Sequence, residues 1–162
     1  MAWIIAACLI ALTITMIVIQ LAISRSVMRM IENAPPLNPG EFGSDPRAKA
    51  LSFRTDDGLE LQACHFRHDD RASRGLILFC HELGGNRWSA MSYCEGLFEA
   101  GFEILAFDFR NHGTSDRQPG YQPLHWLTEF ELIDVRGALK LIQQREELSH
   151  QPLGVFGISR GG

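Results

Sequence analysis

Leu153-Gly154-Val155-Phe156 runs directly into Gly157-Ile158-Ser159-Arg160-Gly161-Gly162. The first four residues form a short apolar run of the strand type, and residues 157–161 match G-x-S-x-G. The pattern alone is common. Placed directly after a strand, it describes a tight strand-to-helix turn that lifts the Ser159 hydroxyl above the sheet edge. A side chain at Gly157 or Gly161 would meet opposed backbone in such a turn, so both positions must be minimal. This stretch by itself leaves two alternatives open, a glycine-rich loop that ends a strand and the start of a phosphate-binding loop.

The segments upstream supply the context. Residues 75–80 (GLILFC) form a continuous apolar run of the kind buried on both faces of a sheet, and residues 102–107 (FEILAF) read as a second buried strand. Between them, Met91, Cys94, Leu97 and Phe98 recur at helical spacing, and Gly101 stands where a left-handed residue ends a helix. A second helix is expected over residues 127–145, with Leu127, Phe130, Ile133, Leu139 and Ile142 near one stripe. Residues 48–55 and 59–66 flank Asp56-Asp57-Gly58 and read as a β-hairpin. A hairpin followed by strand, helix, strand, helix, strand predicts an α/β domain with a parallel sheet, because parallel neighbours require crossover connections.

Two further loops follow strands. His81-Glu82-Leu83-Gly84-Gly85-Asn86 comes after the first buried strand, and residues 108–116 (DFRNHGTSD) come after the second. All three loops therefore fall at strand C-termini, the ligand-facing edge of an open α/β sheet. Together these residues resemble the α/β-hydrolase superfamily, whose members show H-G-x-G-G, D-x-R-G-x-G-x-S and G-x-S-x-G in this order. The resemblance covers about residues 48–162 and is similar to the esterase, lipase and serine-aminopeptidase-like branch, in its N-terminal half.

The resemblance implies a serine hydrolase acting on ester, thioester or amide bonds through an acyl-enzyme at Ser159. It implies an oxyanion hole made by the backbone N–H groups of Leu83 and Arg160, with Gly157 and Gly161 as the glycines of the turn. His81, Asp108, Arg110 and His112 would shape the loops, Asp108 and Arg110 as a pair. A small acyl substrate is implied, with no metal and no organic cofactor, since acyl chemistry needs only nucleophile, base and oxyanion donors. An aspartate-dependent dehalogenase or epoxide hydrolase is disfavoured by Ser159 at the turn. Two residues depart from the pattern. Glu82 stands where glycine is usual, which would strain a left-handed backbone and bring a carboxylate near the oxyanion. Asn111 also replaces a glycine, a milder change because Asn tolerates left-handed geometry. His65, His68, His125 and His150 read as surface or turn residues.

Composition separates the chain into two parts. Of 162 residues, 46% are hydrophobic and 21% charged, with a formal net charge of −4. Residues 2–23 hold 19 apolar residues out of 22, and no charge precedes Arg25. At about 1.5 Å per residue this stretch spans roughly 33 Å, enough for a hydrocarbon core of about 30 Å. It reads as a transmembrane anchor in contact with lipid. A cleaved signal would have a basic n-region, a shorter apolar run and a better cleavage site than Ala22-Ile23-Ser24. Arg25 and Arg29 on the C-terminal side place the soluble part in the cytoplasm by the positive-inside rule, and Trp3 is a candidate anchor at the opposite interface. Residues 24–47, rich in proline, read as a spacer before a domain over residues 48–162.

The acidic balance and the lack of a basic run exclude nucleic acid as a partner. Cys64, Cys80 and Cys94 suit small buried hydrophobes in a reducing compartment; with His65, His68 and His81 they lack the spacing of a metal site. The family's triad runs Ser, Asp or Glu, then His, whereas all six His here precede Ser159. The expectation is therefore an incomplete hydrolase domain, inactive and poorly folded by itself, with the last strand as an exposed apolar edge. The competing reading is a non-catalytic membrane-anchored interaction module.

Overall fold

The computed structural model describes residues 1–32 and 43–162. The chain divides into two compact units, residues 1–35 and 36–162.

The first unit is one helix, α1 (Ala2–Glu32). It continues nine residues past the apolar stretch, into the segment read as spacer, and residues 33–42 of that segment lie outside the described residues. From Trp3 to Ile31 it is long and apolar enough to cross a membrane. Its polar side chains are partly satisfied within the helix: the Thr13 and Thr15 hydroxyls donate to the Leu9 and Ala11 carbonyls, each at 2.9 Å.

The second unit holds β1 (Ala48–Arg54), β2 (Glu60–Phe66), β3 (Leu76–Cys80), α2 (Ala90–Glu99), β4 (Glu103–Phe107), α3 (Glu129–Gln144), α4 (Glu146–Ser149) and β5 (Leu153–Gly157). The strands form one sheet in the order β1-β2-β4-β3-β5. β1 and β2 are the expected antiparallel hairpin, and β2 also pairs antiparallel with β4. β3 pairs in parallel with β4 and with β5. The hairpin turn depends on Gly58 at φ 92°, which lets Gly58 N–H reach the Thr55 carbonyl at 3.0 Å.

Period-two alternation divides the core. Phe79, Ile104 and Ala106 pack with Ala90, Met91 and Cys94 of α2, while Leu78, Leu105 and Phe107 pack with Ala138, Leu141 and Ile142 of α3. The helices therefore cover opposite faces. Gly137 marks a close approach, since a Cβ there would lie 2.7 Å from the Phe53 ring.

The buried face of α3 differs from the expected apolar stripe. Glu131, Asp134, Gly137, Ala138, Leu141 and Ile142 are buried, whereas Leu127 just ahead of the helix and Leu132 are exposed. Two carboxylates occupy the inward positions of the first two turns, because each is the partner of a buried arginine. His65 and His68 are also buried rather than on the surface, and His65 Nε2 sits 2.9 Å from Glu103 Oε2. β5 has a neighbour on one side alone among the described residues, and Val155 on it is 63% exposed.

Candidate active site

The register places Cys80, the last residue of β3, beside Gly157, the last residue of β5. The chain then turns through a short 3-10 segment over Ser159–Gly161. Ser159 is exposed and has φ 52°, which is uncommon for a residue with a side chain. The neighbouring glycines show what this turn demands. A Cβ at Gly157 would collide with the Gly161 carbonyl and lie 2.6 Å from Gly162 Cα; one at Gly161 would collide with the Cys80 carbonyl and lie 2.8 Å from the His81 carbonyl. The turn is thus pressed against the end of β3, where Ile158 N–H also donates to Cys80 O at 3.1 Å. Its internal bonds run from Gly161 N–H to Ile158 O (2.8 Å) and from Gly162 N–H to Ser159 O (3.0 Å). Neither consumes the Arg160 N–H, and the Leu83 N–H donates to no group among the described residues.

Leu83 lies on the loop after β3, two residues beyond His81, whose carbonyl faces the Gly161 position. The left-handed position of this loop is Gly84, at φ 78°, and Glu82 is not among the residues with positive φ. The strain expected of Glu82 therefore does not arise. Its carboxylate is fully buried and accepts the Tyr93 hydroxyl at 3.2 Å and the Ser89 hydroxyl at 3.4 Å, both from the region where α2 begins. Asn111, by contrast, does adopt left-handed geometry, with φ 63°.

His81 has a defined tautomer. Its Nδ1 faces the Glu82 carbonyl at 2.7 Å, which can only accept, so Nδ1 carries the proton; its Nε2 faces the Phe109 N–H at 3.2 Å and so is bare. Both ring nitrogens are committed to backbone, and burial pushes the imidazole down to about 3. The His112 Nδ1–H likewise donates to Arg110 O at 3.0 Å, and burial lowers that ring too. The two rings meet edge to face at 4.9 Å. They brace the loops after β3 and β4 against each other.

Asp108 and Arg110 do not pair with one another, contrary to the sequence reading. Asp108 accepts the Arg87 N–H at 2.6 Å and the Thr114 N–H at 3.0 Å, and forms a buried ion pair with the Arg87 guanidinium. Arg110 pairs instead with Asp134 (2.7 Å) and Asp57 (2.7 Å). Alternate residues on this loop point to opposite sides, so each reaches a different element. Arg160 is also buried, its guanidinium paired with Glu131. Glu131, Asp134, Asp57, Arg87 and Tyr121 were not anticipated as site residues. One signal was available: Thr128-x-x-Glu131 is a capping box, in which Thr128 N–H donates to Glu131 Oε2 at 2.7 Å.

Residues 75–162 match the family described as alpha/beta hydrolase fold. The chain belongs to that family. Over 125 residues it is 27% identical to the uncharacterized protein YfhR of Escherichia coli K12, covering 75% of this chain and 42% of that one. It is 29% identical over 114 residues to an uncharacterized 31.7 kDa protein of the E. coli traX-finO intergenic region, covering 70% and 34%. The chain thus spans less than half the length of these curated relatives. Among solved structures, it is similar to the Pyrococcus furiosus esterase Pf2001, with TM-score 0.62, 22% identity, and coverage of 80% of this chain and 48% of that one. An alpha/beta hydrolase from Novosphingobium aromaticivorans is similar with TM-score 0.54, 22% identity, and coverage of 73% and 38%. These likenesses concern the fold.

Proposed function

We propose that Ser159 is the nucleophile of a serine hydrolase that cleaves carboxylic esters, thioesters or small amides through an acyl-enzyme. One observation carries this reading: an exposed serine held at φ 52° on a turn whose flanking positions admit only glycine. A side chain in that conformation is presented outward while the backbone behind it closes on β3. The hydroxyl attacks the carbonyl carbon, and the carbonyl oxygen takes up the electron pair of its π bond. The Arg160 and Leu83 N–H groups, unspent in backbone bonding, stabilise that oxyanion. The serine proton must pass to a base. His81 is unfit for this, being neutral and bonded through both nitrogens; the likeness of fold to an esterase supports the reaction class and names no base.

An alkyl fluorophosphonate tests the reading. The full-length protein, with the base that these residues do not supply, is expected to be labelled at Ser159, and Ser159→Ala to abolish labelling. Absence of labelling in the full-length protein, or labelling that survives the substitution, rejects the nucleophile.

We also propose that residues 2–23 anchor the protein in a bilayer, with the hydrolase unit on the cytoplasmic side. The length and apolarity of α1 support the anchor, and Arg25 and Arg29 on its C-terminal side support the orientation. The native protein is expected to resist alkaline carbonate extraction and to retain residues 2–23 by intact mass. Release of a form shortened at its N-terminus would identify a cleaved signal instead.

A further inference from the structure

Ser159 is exposed, yet the next side chain turns the opposite way. Arg160 is 2% exposed and runs beneath the turn into the segment that joins β4 to α3. There its Nε donates to the Trp126 carbonyl at 3.3 Å, its Nη2 donates to the Tyr121 hydroxyl at 2.7 Å, and the same nitrogen forms an ion pair with Glu131 Oε1. Glu131 is fully buried and divides its two oxygens between two tasks. Oε1 receives Arg160 and the Tyr121 hydroxyl (2.6 Å), whereas Oε2 receives the Thr128 N–H (2.7 Å) and the Thr128 hydroxyl (2.6 Å), which fixes the start of α3. Tyr121 closes a triangle, accepting from the arginine and donating to the glutamate. Burial pushes the Glu131 carboxyl up, but the Thr128 and Tyr121 hydrogen bonds and the Arg160 charge hold it below its ordinary value.

An arginine withdrawn from water is expensive unless paired, and a serine at φ 52° persists only where its surroundings over-determine it. These two facts meet at one peptide. The Ser159–Arg160 peptide carries the N–H proposed as an oxyanion donor, and rotation about it is opposed by three contacts on the Arg160 side chain.

We infer that Glu131 and Tyr121 are positioning residues for Ser159: through the Arg160 guanidinium they hold the turn so that the Arg160 N–H points where the oxyanion forms. This rests on the proposal that Ser159 is the nucleophile. The clamp ties the turn to the N-terminus of α3, so the aim of the donor is set from a separate element.

The test measures fluorophosphonate labelling of the full-length protein, separating the limiting rate from the half-saturating probe concentration. Glu131→Gln keeps an acceptor for the Thr128 N–H and removes the charge; Tyr121→Phe removes one hydroxyl. Each is expected to lower the limiting rate by about 10- to 100-fold, below the loss for deleting a donor outright, with half-saturation unchanged within about twofold. The double variant E131M/R160M replaces the pair with apolar side chains of similar length, which preserves folding when a buried pair serves stability alone. Folded by circular dichroism, it is expected to remain slow. A folded double variant labelled at the native rate, or Tyr121→Phe labelled at the native rate, overturns the inference. Loss of labelling in the full-length protein, or labelling of Ser159→Ala, overturns the underlying assignment instead, and the two failures are distinct.

Discussion

Arg110 and Asp134 are joined by three hydrogen bonds, from the Arg110 backbone N–H (2.9 Å), Nε (2.9 Å) and Nη2 (2.7 Å), and both side chains are completely withdrawn from water. The pair fastens the loop after β4 to the second turn of α3. Removing one partner of such a pair leaves a buried charge partly uncompensated, which costs about 3–5 kcal/mol. Asp57 also reaches the Arg110 guanidinium, at 2.7 and 3.2 Å, and is partly exposed, so it offsets some of that loss. Asp134→Ala is therefore expected near the lower end of that range, with Asp134→Asn milder, as read from urea unfolding of the full chain in detergent.

The turn glycines give a second expectation. A Cβ at Gly157 would overlap the Gly161 carbonyl, and one at Gly161 would overlap that of Cys80, both rigid backbone. Gly157→Ala and Gly161→Ala are each expected to abolish fluorophosphonate labelling at Ser159. Gly96→Ala, where nothing lies within 4 Å, is expected to leave labelling unchanged. Labelling of the Gly157→Ala protein at the native rate would show that the turn is not as tight as described.

Much of this fold is legible from apolar runs and turn residues. Residues 76–80 and 104–107 lie in buried strands because an apolar run with no polar break leaves no face for water, and Gly101 (φ 99°) ends α2 as its position implies. The departures share one physical cause. Arg110, Glu131, Asp134 and Arg160 are charged residues that belong to the interior, and their partners lie 24 to 53 positions away for Arg110 and 29 for Arg160 to Glu131. Hydropathy periodicity treats each as a surface residue, which displaced the predicted stripe on α3. His65 misled for the same reason: its ring is buried because Glu103, on a neighbouring strand, is there to meet it. The Ser159 turn was legible because it needs only local residue types. The clamp beneath it was not, because it exists only once β5 and α3 are brought together.

Acid is expected to destabilise the hydrolase unit from near neutrality. His81, His112 and His65 all have imidazoles lowered by burial, His81 to about 3. As pH falls below about 6.5 the unfolded chain takes up protons that the folded chain refuses, so stability drops by up to about 1.4 kcal/mol per pH unit for each such group. For His81 that loss continues until the pH reaches its folded value. Glu131 and Asp57, lowered in the fold, add to the loss only below the ordinary carboxylate range, as the pH falls through their folded values. The urea midpoint is expected to fall between pH 6.5 and 4.5, offset in part by Asp134, whose carboxyl is pushed above its ordinary value by burial so that the folded chain takes up that proton first. A midpoint constant over that interval would mean that the histidines titrate normally.

Glu82 bears on the chemistry more directly. Its carboxylate is wholly buried one residue before the Leu83 N–H, and its acceptors are filled by the Ser89 and Tyr93 hydroxyls, which bring no positive charge. A carboxylate ionised in a poorly screened interior would oppose a second negative charge developing nearby. Glu82→Gln keeps the side-chain shape and an acceptor oxygen while removing the charge. If Leu83 donates to the oxyanion, this substitution is expected to raise the limiting rate of fluorophosphonate labelling by about 3- to 10-fold without lowering stability. A rate that falls instead would mean that the carboxylate serves the site, and would place Glu82 among the residues the reaction needs.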